Sequence, residues 1–237
     1  MSGFLLDASK HYRSKIKLGI TTNTGDCEGE VVQQRPVEVL PGQLDDVIEN
    51  FRGEIDQVPP MFSAIKHNGQ PLYKLARKGV EIERKPRRVN VYSLEISNPE
   101  HNILELDILC SSGFYVRALA HDIGEQLGCG AHVIALRRMA VGHLEVKNAI
   151  TLEQLEKFED DTKKLSRLIP GDRGLPHIPK VNLSADAAFY LCRGQAVNAV
   201  GLPQSGWVRL YADDAGFLGL GTVLDDGRVT PKRLFNI

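Results

Sequence analysis

The residues best suited to chemistry lie in the run Cys110-Ser111-Ser112-Gly113-Phe114-Tyr115-Val116-Arg117. A strand-like stretch precedes it and a helical stripe follows. The run is therefore a strand-to-helix junction, where side chains are held by regular structure beside an open edge. Tyr115 and Arg117 are two residues apart, so both can reach one pocket while Val116 packs inward. A guanidinium grips a carboxylate or phosphate through a planar fork. Read from pattern alone, the commoner arrangement is a Tyr115 that lines the core and an Arg117 that pairs with a surface acid. The residues by themselves favour that arrangement.

Other combinations carry less. Cys129 and His132 have a pairable spacing, but no second pair accompanies them, so a structural role is expected and no metal site. Gly219-x-Gly221 lacks the strand–helix unit of a dinucleotide fingerprint, and no phosphate-cradling loop occurs. No cofactor is implied. The second signal is charge. Between Pro60 and Asn90 lie Lys66, Lys74, Arg77, Lys78, Arg84, Lys85, Arg87 and Arg88 against Glu81 and Glu83, in a chain of net charge -1. Phe62, His67 and Tyr73 interleave with them. Such segregation suits phosphate contact with base stacking; the alternatives are a protein-interaction surface and a solvated helix face with two neighbouring loops.

The elements that must position these residues follow from periodicity. Arg13–Ile20 alternates as a half-buried strand, Gly25 and Gly29 punctuate a polar turn, and Val31-Val32 suggests a return strand. Leu44, Val47, Ile48 and Phe51 are spaced as a helix ended by Gly53. Strands are expected over Val89–Ile96 and Ile103–Leu109. A helix is expected along Val116, Leu119, Ala120, Ile123 and Leu127, stopped by Gly128. Thr151 and Gln154 have capping-box spacing, and Ser184 can cap a helix ending near Gly194. Short strands follow around Trp207–Tyr211, Leu218–Val223 and Arg228–Phe235, with a turn at Asp225-Asp226-Gly227. The fold class is α+β, with a mixed, mostly antiparallel sheet flanked by helices. The expected division is a domain over 1–160, a Pro- and Gly-containing linker over 161–180 and a small β module over 181–237. Four scattered cysteines, no signal peptide and no long apolar run point to a cytoplasmic chain with reduced thiols, without membrane spans and monomeric by default.

Several motifs together resemble the TruB-type pseudouridine synthases that act on the TΨC loop of tRNA. Asp7-Ala-Ser-Lys-His-Tyr12-Arg is similar to their D-x-x-K-x-Y element, and Thr22-Asn-Thr24-Gly-Asp26-Cys-Glu-Gly29 to their T-D-T-x-D-x-x-G turn, with Asn23 in place of the usual acid. Pro59-Pro-Met-Phe-Ser63-Ala-Ile-Lys66 with Leu72-Tyr73 and Ala76-Arg77-Lys78-Gly79 is similar to their RNA-contacting insertion. Cys110–Arg117, Asp122-Ile-Gly-Glu125 and Leu127–Arg138 are similar to the later core motifs. The resemblance runs in family order along essentially the whole chain. It implies isomerisation of the TΨC-loop uridine (position 55) of tRNA to pseudouridine, with no cofactor or metal. It also implies a flipped base packed on Tyr12, with Tyr115 beneath it as a candidate for C5 proton transfer. Arg117 would pair with the nucleophilic carboxylate, and Leu136 would form an apolar wall. Residues 60–88 would clasp the T arm through Lys66, Tyr73, Lys74, Arg77, Lys78, Arg87 and Arg88, and the tail would be a PUA-like module.

The family nucleophile is an aspartate in a G-x-L-D-P-x-A-x-G element upstream of the Tyr12 motif. The chain opens inside an apolar run, Gly3-Phe4-Leu5-Leu6, and holds no G-x-L-D-P run. The resemblance therefore implies an N-terminally truncated synthase whose true start lies upstream. The chain as given is expected to be inactive, with Arg117 left without its acid. Asp122, five residues past Arg117 and about 140° around a helix, is expected to face elsewhere. The alternatives are a catalytically dead homologue that only binds tRNA and a non-enzymatic α+β interaction protein.

Overall fold

Alternation sets the central strand: Ser14, Ile16 and Leu18 are buried while Arg13 and Lys15 are exposed, the period of a strand with one covered face. The computed structural model describes residues 2–100, 102–212 and 216–235. They form two units, Ser2–Ile150 and the residues from Thr151 on. In the first, a short helix α1 (Ser2–Leu6) precedes that strand, β1 (Lys10–Leu18). A hairpin of β2 (Ile20–Thr22) and β3 (Val31–Gln34) follows, then helix α2 (Gln43–Glu49) and β4 (Gly53–Gln57). A second, smaller hairpin of β5 (Lys66–His67) and β6 (Gln70–Pro71) leads into α3 (Leu72–Ala76). Two long strands, β7 (Arg87–Glu100) and β8 (Ile103–Cys110), then precede α4 (Val116–Gln126), β9 (Ala131–Val141) and β10 (Leu144–Glu145).

Six strands form one sheet in the order β10-β9-β1-β8-β7-β4, antiparallel at every pairing. One face is apolar: Ile16, Leu94, Leu106 and Ile108 pack with Val116, Leu119, Ala120 and Ile123 of α4. The other face is charged. Lys15 stands opposite Glu105 with their charges 2.5 Å apart, Arg13 opposite Asp107 at 3.4 Å, and His11 reaches the same Asp107 at 2.5 Å. Such partly exposed pairs are each worth about 1 kcal/mol or less, but they disfavour a slipped register.

Among the strands that escape the sequence reading are β4 and β9. β4 is a short edge strand with Ile55 as its one apolar side chain besides a buried glutamine, so no alternation announces it. β9 begins with buried Ala131, His132 and Val133 and continues through exposed Ala135–Arg138, so its pattern fits neither period. The helix expected to reach Gly53 stops at Glu49. Phe51 is buried in the turn that follows, and Gly53 opens β4.

The second unit contains α5 (Leu152–Glu156), α6 (Asp161–Leu165), β11 (Lys180–Leu183), α7 (Ala185–Cys192), β12 (Gly206–Ala212), β13 (Gly216–Val223) and β14 (Val229–Leu234). Its sheet order is β11-β12-β13-β14, and the β11–β12 pairing is parallel, so the mixed pairing lies here. Thr151 and Gln154 form both bonds of the capping box, and the Ser184 hydroxyl accepts from the Ala187 N–H. The stretch 161–180, read as a linker, holds α6, a helical turn over Gly171–Gly174, and buried Leu175 and Ile178. Asp172 accepts from the Tyr211 hydroxyl at 2.6 Å, and Arg209 Nε donates to the Ile178 carbonyl at 2.8 Å. Burial and the Asp172 carboxylate push the Tyr211 phenol up to about 12.

Helix α4 is fixed by its close approach to β9. The Gly124 carbonyl accepts from the N–H groups of Cys129 and Gly130, and a Cβ at Gly124 would lie 2.2 Å from the Ala131 nitrogen. Gly124→Ala is expected to cost at least about 3 kcal/mol in urea unfolding, because backbone would have to move. Gly128→Ala, left-handed (φ 79°) but with open space around it, should cost roughly 1–2 kcal/mol. Equal losses would show that α4 and β9 can separate at little expense.

Candidate functional site

The β2–β3 turn, Thr22–Gly29, is organised around Asp26. Thr24 Oγ1 donates to Asp26 Oδ1 at 2.6 Å and the Glu28 N–H to the same oxygen at 3.2 Å. The Thr22 hydroxyl donates to the Asp26 carbonyl at 2.7 Å. The Val133 N–H donates to the Gly25 carbonyl at 3.0 Å, which docks the turn on β9. The second carboxylate oxygen, Oδ2, is thereby aimed at α4.

Arg117 meets it there. Its Nη1 lies 3.0 Å from Asp26 Oδ2 and also donates to the Thr24 carbonyl at 3.1 Å, while Nη2 donates to the Phe62 carbonyl at 2.6 Å. The arginine is thus not left without an acid, contrary to the expectation from the sequence: the turn residue Asp26 takes that place. Tyr115 is the N-cap of α4 and its side chain makes no capping bond. Its backbone is held by Gln57, the last residue of β4. The Tyr115 N–H donates to Gln57 Oε1 at 2.8 Å, and Gln57 Nε2 donates to the Tyr115 carbonyl at 3.1 Å.

A cavity of about 460 Å³ opens beside these groups, walled by the turn residues Thr22–Gly25, by Val58 and Pro60–Phe62, and by Arg117, His121 and Asp122 of α4. Asp122 therefore shares a wall with Arg117, where the helical wheel had placed it elsewhere. Residues 118, 121 and 122 form one stripe of α4, and Arg117 sits at its edge four residues before His121. Burial raises the Asp122 carboxyl above the usual range; nearby His121 opposes this and Glu125 adds to it. Arg84, within the basic stretch, also lines the cavity. It donates to the Pro59 carbonyl at 3.3 Å and pairs with Glu81 at 3.2 Å.

Tyr12 and Leu136 lie on the apolar face of the sheet rather than in this cavity wall. In register, Tyr12 faces Arg138 and Ser14 faces Leu136, so the two site candidates are diagonal neighbours on adjacent strands. Leu136 is 50% exposed. Burial, then Cys110, raises the Tyr12 phenol, and Arg138 pulls it the other way. The basic candidates occupy the segment between β4 and β7. Lys66 is exposed on β5, Lys74 and Lys78 are exposed on and just after α3, and the Arg77 guanidinium lies 5.6 Å from the Tyr73 ring centre. Arg87 and Arg88 are exposed at the start of β7, with Arg88 3.5 Å from Asp56. Among the described residues no cluster of His, Cys, Asp and Glu is placed to hold a metal ion, and no helix is long and apolar enough to cross a membrane.

Sequence reasoning gave Asp26 no role at the site, although its Thr-x-Asp spacing is that of a side chain bonding its own turn. Gln57 carried no signal: a lone glutamine at a strand end is unremarkable until its partner is known.

Comparison with known proteins covers nearly the whole chain. Residues 1–116 match the TruB family pseudouridylate synthase N-terminal domain, 117–175 the tRNA pseudouridylate synthase B C-terminal domain and 179–235 the pseudouridine synthase II TruB C-terminal domain. The chain is 47% identical over 237 residues to tRNA pseudouridine synthase B of Nitrosococcus oceani, covering 99% of this chain and 77% of the relative. It is also 47% identical over 236 residues to the same-named protein of Stutzerimonas stutzeri, covering 98% and 77%. In fold it is similar to a chain of a Cbf5-Nop10-Gar1 complex (TM-score 0.68, 22% identity, 97% of this chain and 67% of that one). A chain of an H/ACA RNP bound to a substrate RNA containing 2'-deoxyuridine is similar as well (TM-score 0.67, 20% identity, 99% and 68%).

Two substitutions test the geometry. Asp26→Ala removes a partner of Arg117 and the acceptor that shapes the turn, and is expected to cost about 2 kcal/mol in urea unfolding. Asp26→Asn keeps the Oδ1 acceptor and should cost roughly half as much; equal losses would put the whole effect in the ion pair. For Asp122, burial favours the protonated form in the folded chain, so its contribution is greatest below the ordinary carboxylate range and falls as pH rises through it. Asp122→Asn should therefore be the more stable chain at about pH 7 and lose that advantage near about pH 4. A less stable Asp122→Asn at neutral pH would contradict this assignment.

Proposed function

Because the chain belongs to the TruB family of pseudouridylate synthases, we propose that it serves isomerisation of the TΨC-loop uridine (position 55) of tRNA to pseudouridine. The observation that carries the reading to named residues is the Arg117 junction, which gathers the Asp26 turn, the root of the basic segment and the start of α4 at one cavity. In the reaction the bond from C1′ to N1 of uracil breaks, the ring turns, and C1′ rejoins through C5. The C5 proton is released and N1 gains one, so the change is redox-neutral. A uridine inside a folded loop must be flipped out to be reached, which calls for stacking surfaces. Tyr12 and Leu136, on the open part of the sheet face, offer those surfaces, and Tyr115 is the candidate for moving the C5 proton.

The T arm is the proposed docking element, held by Lys66, Lys74, Lys78 and Arg87, with Tyr73 and Arg77 as a stacking pair. The acting unit is proposed to be a single chain. The free cysteines fit the reducing cytoplasm where tRNA is processed. No carboxylate at or beside the cavity is poised to attack a sugar carbon: Glu81, which lines it, pairs with Arg84. Asp26 has both oxygens engaged, and Asp122 is biased toward its neutral form. A polypeptide of these 237 residues alone is therefore proposed to bind and position the substrate without turning it over. The reading as an unrelated interaction protein falls with family membership, and a dead homologue whose function is tRNA binding alone is not favoured, since the relatives are named synthases.

The test is tritium release from a tRNA transcript labelled at uridine C5, run beside binding at several salt concentrations. The expected result is no release, with salt-sensitive binding whose log–log slope falls by roughly 2–3 when Lys66, Lys74 and Lys78 are all changed to Ala. Robust release would mean that a carboxylate in these residues does attack. An unchanged slope would remove the basic segment from the interface.

A further inference from the structure

Gln57 is a buried polar side chain, 2% exposed, that the chemistry above leaves unused. Its amide makes two bonds to one residue, accepting from the Tyr115 N–H and donating to the Tyr115 carbonyl. These are the bonds a neighbouring strand would supply. At the end of β4, the Gln57 side chain thus extends that strand's pairing to the residue that opens α4. Tyr115 makes no side-chain capping bond of its own, so this brace fixes the direction in which its ring leaves the backbone. Five residues further along the same segment, the Phe62 carbonyl accepts from Arg117. Residues 57–62 are therefore tied to residues 115–117 at both ends, and they lead directly into the basic segment.

We infer that Gln57 is a positioning residue, which orients Tyr115 through its backbone and couples that orientation to the root of the RNA-contacting segment. The functional part rests on the proposal that Tyr115 meets the target uracil; the geometric part does not. Gln57→Met keeps the length and removes both bonds. Gln57→Glu separates the roles by pH. Its protonated acid can donate to the Tyr115 carbonyl and accept from the N–H, as the amide does. The ionised form can only accept, and it faces the carbonyl unfavourably. Burial raises the pH at which that change occurs.

The experiment uses the 237-residue chain labelled with 3-fluorotyrosine, with the Tyr115 fluorine signal among the six tyrosines identified by Tyr115→Phe. In Q57M the Tyr115 signal should move or broaden while the other five stay in place. Q57E should match the parent at about pH 5 and Q57M at about pH 8. An unmoved Tyr115 signal overturns the inference. So does disruption of all six signals in both variants at both pH values, which would make Gln57 a general structural brace. The second readout is affinity for a T-arm hairpin carrying uridine or an abasic ribose at the target position. Q57M should lower the uridine-over-abasic ratio about tenfold, equivalent to ~1.4 kcal/mol, and leave abasic binding unchanged. Equal loss for both hairpins overturns the coupling. If the parent itself fails to discriminate, the substrate reading fails, and the fluorine signals still decide the brace.

Discussion

The guanidinium of Arg117 is the constraint on which the rest of the site depends. A charge only 25% exposed must be matched by acceptors or its burial is costly. The chain meets that demand from two distant stretches, the Thr24–Asp26 turn and the Phe62 carbonyl. Each acceptor is itself fixed: Asp26 by Thr24, Glu28 and the docking of its turn on β9, Phe62 by a segment that begins at the Gln57 brace. The turn and the segment root therefore cannot be arranged independently of one another or of α4.

The sheet is the platform that makes such a junction possible. Its apolar face is covered by α4 over Ile16, Leu106 and Ile108, and is more open toward Tyr12 and Leu136. Its other face is tied in register by Lys15–Glu105 and by His11 and Arg13 on Asp107. The antiparallel platform thus keeps one part of its apolar face partly open. Solved structures with 20–22% identity share this architecture, which shows the fold alone; the family rests on relatives at 47% identity.

Much of this was legible in the amino-acid order, for physical reasons that can be named. α4 was read correctly because Val116, Leu119, Ala120, Ile123 and Leu127 keep one stripe against the sheet and Gly128 ends it. The caps at Thr151 and Ser184 were legible because a cap is a local bond. β9 was not, because its second half is exposed on an open sheet face and loses the alternation that marks a strand. Asp26 was given no role and Asp122 was misplaced for a shared reason: their roles depend on a partner about ninety residues away or on which helix face borders a cavity, and neither is encoded in spacing. Gln57 is the extreme case, since both its bonds go to a residue 58 positions further along the chain.

Hydrogen exchange of Arg117→Ala tests the central claim most directly. If Arg117 holds the turn and the segment root together, amides in 22–28 and 61–63 should exchange faster together in the variant, while those of β1 and β8 keep their protection. Exchange unchanged in both segments, or faster in one alone, would contradict the account of Arg117 as the junction of the site.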